Sequence, residues 1–150
     1  MADTSHDIRT LNSLIATTID SVDGYRSSAE AIDNPRFGDL FSERASERSS
    51  VAEQLRAEVR RLGGNPEDDG TILAAGHRAF LNLKSAVVAR DDKAIINEVE
   101  RGEDHIKAKF DEALKDDSLT SETLTLIQTA YGSVRAGHDE MSALKHSMEA

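Results

Sequence analysis

The chain has no cysteine and no tryptophan, only two prolines, and four phenylalanines and two tyrosines in 150 residues. Each shortage excludes something. Without cysteine there is no disulfide framework and no thiolate metal site or nucleophile. Both prolines, Pro35 and Pro66, fall where a helix would begin or a loop would run, so no periodic stretch is interrupted. Strand-like alternation never lasts more than a few residues, and no apolar run approaches the roughly 20 residues of a membrane span. Residues 1–7 lack a basic region followed by an apolar core, so they do not read as a secretory signal, and a cytoplasmic location is the expectation. Basic charge is also short: 18 Lys and Arg stand against 28 Asp and Glu, a net charge of −10. That balance disfavours a nucleic-acid binder, which needs clustered cations on phosphates. The one basic cluster, Arg56, Arg60 and Arg61, is interleaved with Glu53 and Glu58 at helical spacing, as on a solvated face laced with ion pairs.

What is present is helical periodicity. The size and the aliphatic, alanine-rich composition fit one domain over residues 1–150. Helices are expected at about 5–32, 36–62, 71–89, 92–115 and 120–148. Thr4 with Asp7 has the spacing of a capping box, Asn34 before Pro35 is an N-cap with proline at the first helical position, and Gly63 and Gly64 end the second helix in a left-handed turn. Asp91 and Asp92 cap the helix at 92, while Thr120 caps the last helix with Leu119 stapled on Leu124. The segment 71–89, with Leu73, Phe80, Leu83 and Val87 on one side, would climb roughly 27 Å at 1.5 Å per residue and so act as a crossover helix.

The four long helices each carry an apolar seam broken once, near mid-span, by a polar residue. The first runs Ile8, Leu11, Ile15, Thr18, Val22, Tyr25, Ala29, Ile32. The second runs Leu40, Arg44, Glu47, Val51, Leu55, Val59, Leu62, thickened by Phe37 and Phe41. Ile96, Val99, Glu103, Ile106, Phe110 and Ala113 form the third, and Leu124, Ile127, Tyr131, Val134, His138 and Met141 the fourth. Antiparallel packing would bring Thr18, Glu47, Glu103 and His138 to one height. A polar layer inside a seam has to be satisfied by a metal, a counter-charge or a hydrogen-bond network.

Four long helices, one short turn, one long crossover and a mid-bundle polar layer resemble the ferritin-like superfamily. Its di-metal members use a Glu from each of two helices and Glu-x-x-His from each of the other two. Glu47 followed by Ser50 resembles the second-helix motif with serine for histidine. Glu103 with Phe110 resembles the third-helix glutamate, Arg135 before His138 the fourth-helix pair with arginine for glutamate, and Thr18 before Tyr25 the first-helix pair with threonine for the ligand. More narrowly, from about Leu11 to Leu144, the chain resembles a group of bacterial ferritin-like bundle proteins of unknown function. The stretches that carry this are 24–26, 57–66, 91–95 and 100–104. The resemblance implies an all-α, antiparallel four-helix bundle with an additional crossover helix between helices two and three.

By that matching, half of a di-iron ligand set remains: Glu47, Glu103 and His138. They would suit one Fe(II), Mn(II) or Zn(II) ion. Arg135, one turn from His138, would oppose a metal and pair with Glu47 or Glu103 instead, with Thr18, Tyr25, Ser50 and Tyr131 as the other members of the layer. The favoured reading is a non-enzymatic, cofactor-free bundle, stress-related or of scaffold type, acting through its surface and forming a homo-oligomer such as a dimer. The alternative is a metal-binding or oxidase-type protein using Glu47, Glu103 and His138. A third is a binder of small ligands or partner helices with the crossover helix as lid. Asp20 and Asp23 beside the first seam, His77 on the crossover, and His6, His105 and His146 on the surface are weaker candidates.

Overall fold

A computed structural model describes residues 4–67 and 92–149. Those residues form four helices and no strand: α1 Ser5–Ala31, α2 Pro35–Arg61, α3 Asp92–Leu114 and α4 Ser121–Glu149. The expected crossover at 71–89, with Leu73, His77, Phe80, Leu83 and Val87, lies outside the described residues. No helix among the described residues is long and apolar enough to cross a membrane.

Local chemistry sets the ends. The Asn34 side chain accepts from the Arg36 amide at 3.0 Å, and Pro35 follows it, so only three residues separate α1 from α2. At the other end of α2, Gly63 takes a φ of 85°, with Gly64 N–H on Val59 O at 2.9 Å and Gly63 N–H on Arg60 O at 3.0 Å. That pair of bonds is a Schellman closure, which needs the left-handed residue that glycine supplies. The capping box expected at Thr4 does not form, because no side-chain bond from Thr4 reaches the helix. Asp7 turns away instead and is buried against the start of α4.

Each helix packs on two others, α1 on α2 and α3, and α4 on α3 and α2. The ends that meet are specific. Ile8 at the start of α1 sits against Gly64 just past α2, and the Asp33 amide after α1 donates to Asp92 at the start of α3. His6 meets Asp116 just beyond α3, and Arg61 at the end of α2 meets Glu122 at the start of α4. Two apolar clusters fill the interior. One joins Leu11, Ile15, Leu55, Val59, Ile106, Phe110, Ile127 and Val134; the other joins Tyr25, Phe37, Phe41, Ala45, Ile96, Val99 and Met141.

The seams of α1 and α3 lie where the periodicity puts them, with Glu103 buried in line with its apolar neighbours. Two seams are corrected by one residue over part of their length. On α2 the buried positions are Phe41, Ala45 and Arg48 rather than Leu40, Arg44 and Glu47, merging with the expected stripe at Val51, Leu55 and Val59. On α4, Ala130 and Gly137 face inward, while Tyr131 and His138 are only half-buried. The rotation places two aromatic rings, Phe41 and Phe37, in the core and sends the carboxylate of Glu47 to solvent.

Candidate functional site

The polar layer lies between the two apolar clusters, one turn from each. Its centre is Arg48, fully buried at 0% exposure, facing Glu103 at 1%. Arg48 Nη1 donates to Glu103 Oε1 at 2.7 Å and Nη2 to Oε2 at 2.6 Å. This is the two-point fork that matches guanidinium to carboxylate geometry. Nη1 also reaches Ser21 Oγ on α1 at 2.7 Å, and Nη2 approaches the Val134 carbonyl on α4 at 3.4 Å. One side chain thus ties four helices together. The Tyr25 ring lies 5.7 Å from the guanidinium carbon, within cation–π range, and is tilted against Phe41.

Room for this pair comes from Gly137. A methyl group there would stand 2.5 Å from Arg48 Nη2 and 3.1 Å from Glu103 Oε2, so a side chain at this position forces the ion pair to shift. The electrostatics are self-consistent. Burial alone would lower the Arg48 guanidinium, but the charge and hydrogen bonds of Glu103 more than offset it and hold Arg48 above its ordinary value. Burial first, then the negative charge of Glu103, push the Tyr25 hydroxyl well above its ordinary value, so it stays a neutral phenol. Among the described residues neither that hydroxyl nor Arg48 Nε has a hydrogen-bond partner.

The residues singled out from sequence are not gathered here, Glu103 and Tyr25 excepted. Thr18 is buried, yet its hydroxyl donates at 2.7 Å to the Leu14 carbonyl of its own helix. Glu47 stands on the α2–α4 flank, bound by Arg44 at 2.8 Å and by the Ser133 hydroxyl. Ser50 is exposed and bonds back to the Ser46 carbonyl. Arg135 is 66% exposed, 3.9 Å from Asp139, so the arginine expected to neutralise the layer is replaced by Arg48. Tyr131 is half-buried, with Lys107 Nζ 6.0 Å over its ring. His138 lies on the α3–α4 flank, Nε2 at 2.6 Å from Asp104 Oδ1 and Nδ1 at 3.2 Å from Asp139 Oδ1. The ligand set Glu47, Glu103, His138 is therefore dispersed over two flanks and the interior.

Two buried residues of the layer, Arg48 and Gly137, are not among the positions that the sequence pattern singles out. Arginine ordinarily faces solvent, so its residue type does not mark Arg48 as an interior position. The four-residue steps from Phe37 through Phe41 and Ala45 point within one residue of it, which was the available signal. Gly137 had no signal beyond being a glycine inside a helix.

The described part of the molecule thus defines an all-helical protein whose four long helices are clasped by a buried arginine–glutamate pair. The chain belongs to the family described as a domain of unknown function, DUF2383, matching it over residues 6–116, which include Arg48 and Glu103 but neither Gly137 nor His138. No curated protein matches the chain.

Proposed function

We propose that the protein is a non-enzymatic, ferritin-like bundle of scaffold or interaction type, its neighbouring helices antiparallel and its mid-bundle layer metal-free. The pairing of opposite helix ends, Ile8 with the α2 terminus and His6 with the α3 terminus, supports the antiparallel arrangement. The observation that carries the reading is the Arg48 guanidinium bonded to both oxygens of Glu103. In di-metal ferritin-like proteins this height holds cations between carboxylates. Here a permanent organic cation stands against the retained carboxylate and satisfies it. What remains for function is the surface, with a cytoplasmic, stress-related role and self-association as a dimer belonging to the same proposal.

The test is aerobic exposure of the untagged chain to Fe(II) and Mn(II), with a Glu103→Gln variant alongside. The expected results are Fe(II) oxidation no faster than in buffer and no ion whose retention depends on Glu103. Oxidation above the buffer rate, or an ion lost with Glu103→Gln, would return the protein to the oxidase class. Sedimentation of the native chain reads the dimer directly, and a monomer at all concentrations removes that part of the proposal.

A further inference from the structure

Where the first half of α2 meets the last half of α4, the surface carries a groove of about 650 Å³. Its apolar lining is Leu40, Ala143 and Leu144, and its charged lining includes Arg36, Asp39 and Glu43. Arg44 on α2 holds Glu140 on α4 at 2.9 Å. Leu40 lies one turn before Arg44 and Leu144 one turn after Glu140, so two half-buried leucines share the groove beside that bond. They pack inward on the cluster around Phe41 and Met141 and keep part of their apolar surface open.

The charges around these leucines differ from those a turn further along. Arg44 is bonded to both Glu47 and Glu140 within the chain. Arg36, Asp39 and Glu43 are exposed, and among the described residues none of their side chains has a charged partner. Arg36 and Glu43 stand two turns apart, about 10.5 Å along one face of α2, with Leu40 between them. A cation, an apolar residue and an anion in that order along a helix complement their own reverse. An antiparallel copy sets Arg36 against the partner's Glu43, Glu43 against the partner's Arg36, and Leu40 against the partner's Leu40. That is the self-complementarity a two-fold axis demands. The net charge of −10 opposes association of two copies in general, so a face on which they meet has to match cation with anion locally.

We propose that this groove is the contact face of a two-fold symmetric homodimer, α2 of each copy lying antiparallel in the α2–α4 groove of the other. Leu40 and Leu144 of both copies gather at the axis, and Arg36 of each copy pairs with the partner's Glu43 on either side of it. The inference names the surface for the self-association put forward above and rests on that reading, including its antiparallel helices. It is independent of the Arg48–Glu103 layer, which lies inside the bundle.

The experiment is sedimentation over a concentration series of the untagged native chain, Leu40→Glu, Arg36→Glu, Glu43→Arg, the double reversal Arg36→Glu with Glu43→Arg, and Arg60→Glu near the far end of α2. The dimer dissociation constant should rise at least about tenfold in Leu40→Glu and in each single reversal, since symmetry places every change at the interface twice. The double reversal should recover most of the native affinity. Arg60→Glu changes net charge as Arg36→Glu does and should dimerise as the native chain does, whereas Glu43→Arg makes the chain less acidic and should still weaken the dimer. A dimer that Leu40→Glu and both single reversals leave intact overturns this face while keeping self-association; a native chain that is monomeric at all concentrations overturns both. A double reversal no tighter than the single ones, or Arg60→Glu as weak as Arg36→Glu, overturns the pairing of Arg36 with Glu43. The reversed side chains are exposed, and helical circular dichroism checks that each variant is folded.

Discussion

Among the described residues two carboxylates are buried at different levels, Glu103 in the middle and Asp7 at one end, each about 1% exposed, and they are satisfied by different physics. Glu103 meets a full counter-charge in Arg48. Asp7 meets neutral donors: the Thr120 hydroxyl at 2.6 Å, the Thr123 hydroxyl at 2.8 Å, and the Thr120 amide at 3.3 Å from Oδ2. Those donors cluster at the start of α4, where the helix dipole also favours a negative charge. In the middle of a bundle no helix end is available, and every backbone amide is already committed within its own helix. A carboxylate there needs a side-chain cation or a metal, whereas at the end the fold itself supplies the partner. Asp7 thus serves as a cap provided by one helix to another far along the chain.

The sharpest way to break the comparison is to remove one partner in the middle. Arg48→Met leaves Glu103 buried without a counter-charge and should cost about 3–5 kcal/mol in urea unfolding. The double variant Arg48→Met with Glu103→Leu should recover most of that loss, because a shape-filling apolar pair is often no less stable than a buried ion pair. Failure of the second change to restore stability would mean that the links from Arg48 to Ser21 and Val134, not the charge match, hold the layer.

Gly137→Ala attacks the same place from the opposite helix. Arginine tips usually yield to a new methyl, but this one is pinned by both Glu103 oxygens. Overpacking of about 1–3 kcal/mol is expected, and it should largely vanish in the Arg48→Met, Glu103→Leu background. At the end of the bundle, Asp7→Ala removes the shared acceptor of two threonine hydroxyls, one on the fully buried Thr123, and leaves them only their bond to each other. The expected loss is about 1–2 kcal/mol by the same denaturation, smaller than for Arg48 because no unpaired charge is left behind.

The sequence was readable where apolar size alone decides which side of a helix faces inward. On α3, Ile96, Val99, Ile106 and Phe110 leave a single solution, and Glu103 falls inside it. The caps at Asn34 and Gly63 were readable because their chemistry is local. What was hidden depends on partners distant in sequence. Arg48 is inside only because Glu103, 55 residues away in the chain, takes both hydrogen bonds of its fork, and Gly137 is inward only because Arg48 needs its space. Asp7 looked like half of a capping box for its own helix, and the competing cap on α4 is 113 residues distant. The expectation that an arginine neutralises the retained glutamate carried the right chemistry on the wrong residue, since Arg135 is turned to solvent.

A pH series sharpens the contrast at the smallest scale, through Asp116 at the same end of the bundle as Asp7. The hydrogen bond to His6, then the Ser118 amide, hold the Asp116 carboxyl below the usual carboxylate range. A folded-state value below the unfolded one means that the native protein resists protonation there. The stabilisation is therefore present above the ordinary aspartate value of about 3.9 and is lost as pH falls through the depressed value. Asp116→Asn should accordingly be less stable than the native chain at pH 5–6, with the two converging as acid is added. His6→Ala should shrink the gap without abolishing it, since the Ser118 amide still reaches the carboxylate. Because this pair is open to solvent, added salt should narrow the difference, while the cost of Arg48→Met, set in the dry interior, should hardly respond to salt at all. If both respond alike, the layer around Arg48 is wetter than its complete burial requires, and the distinction between the interior pair and the bundle end collapses.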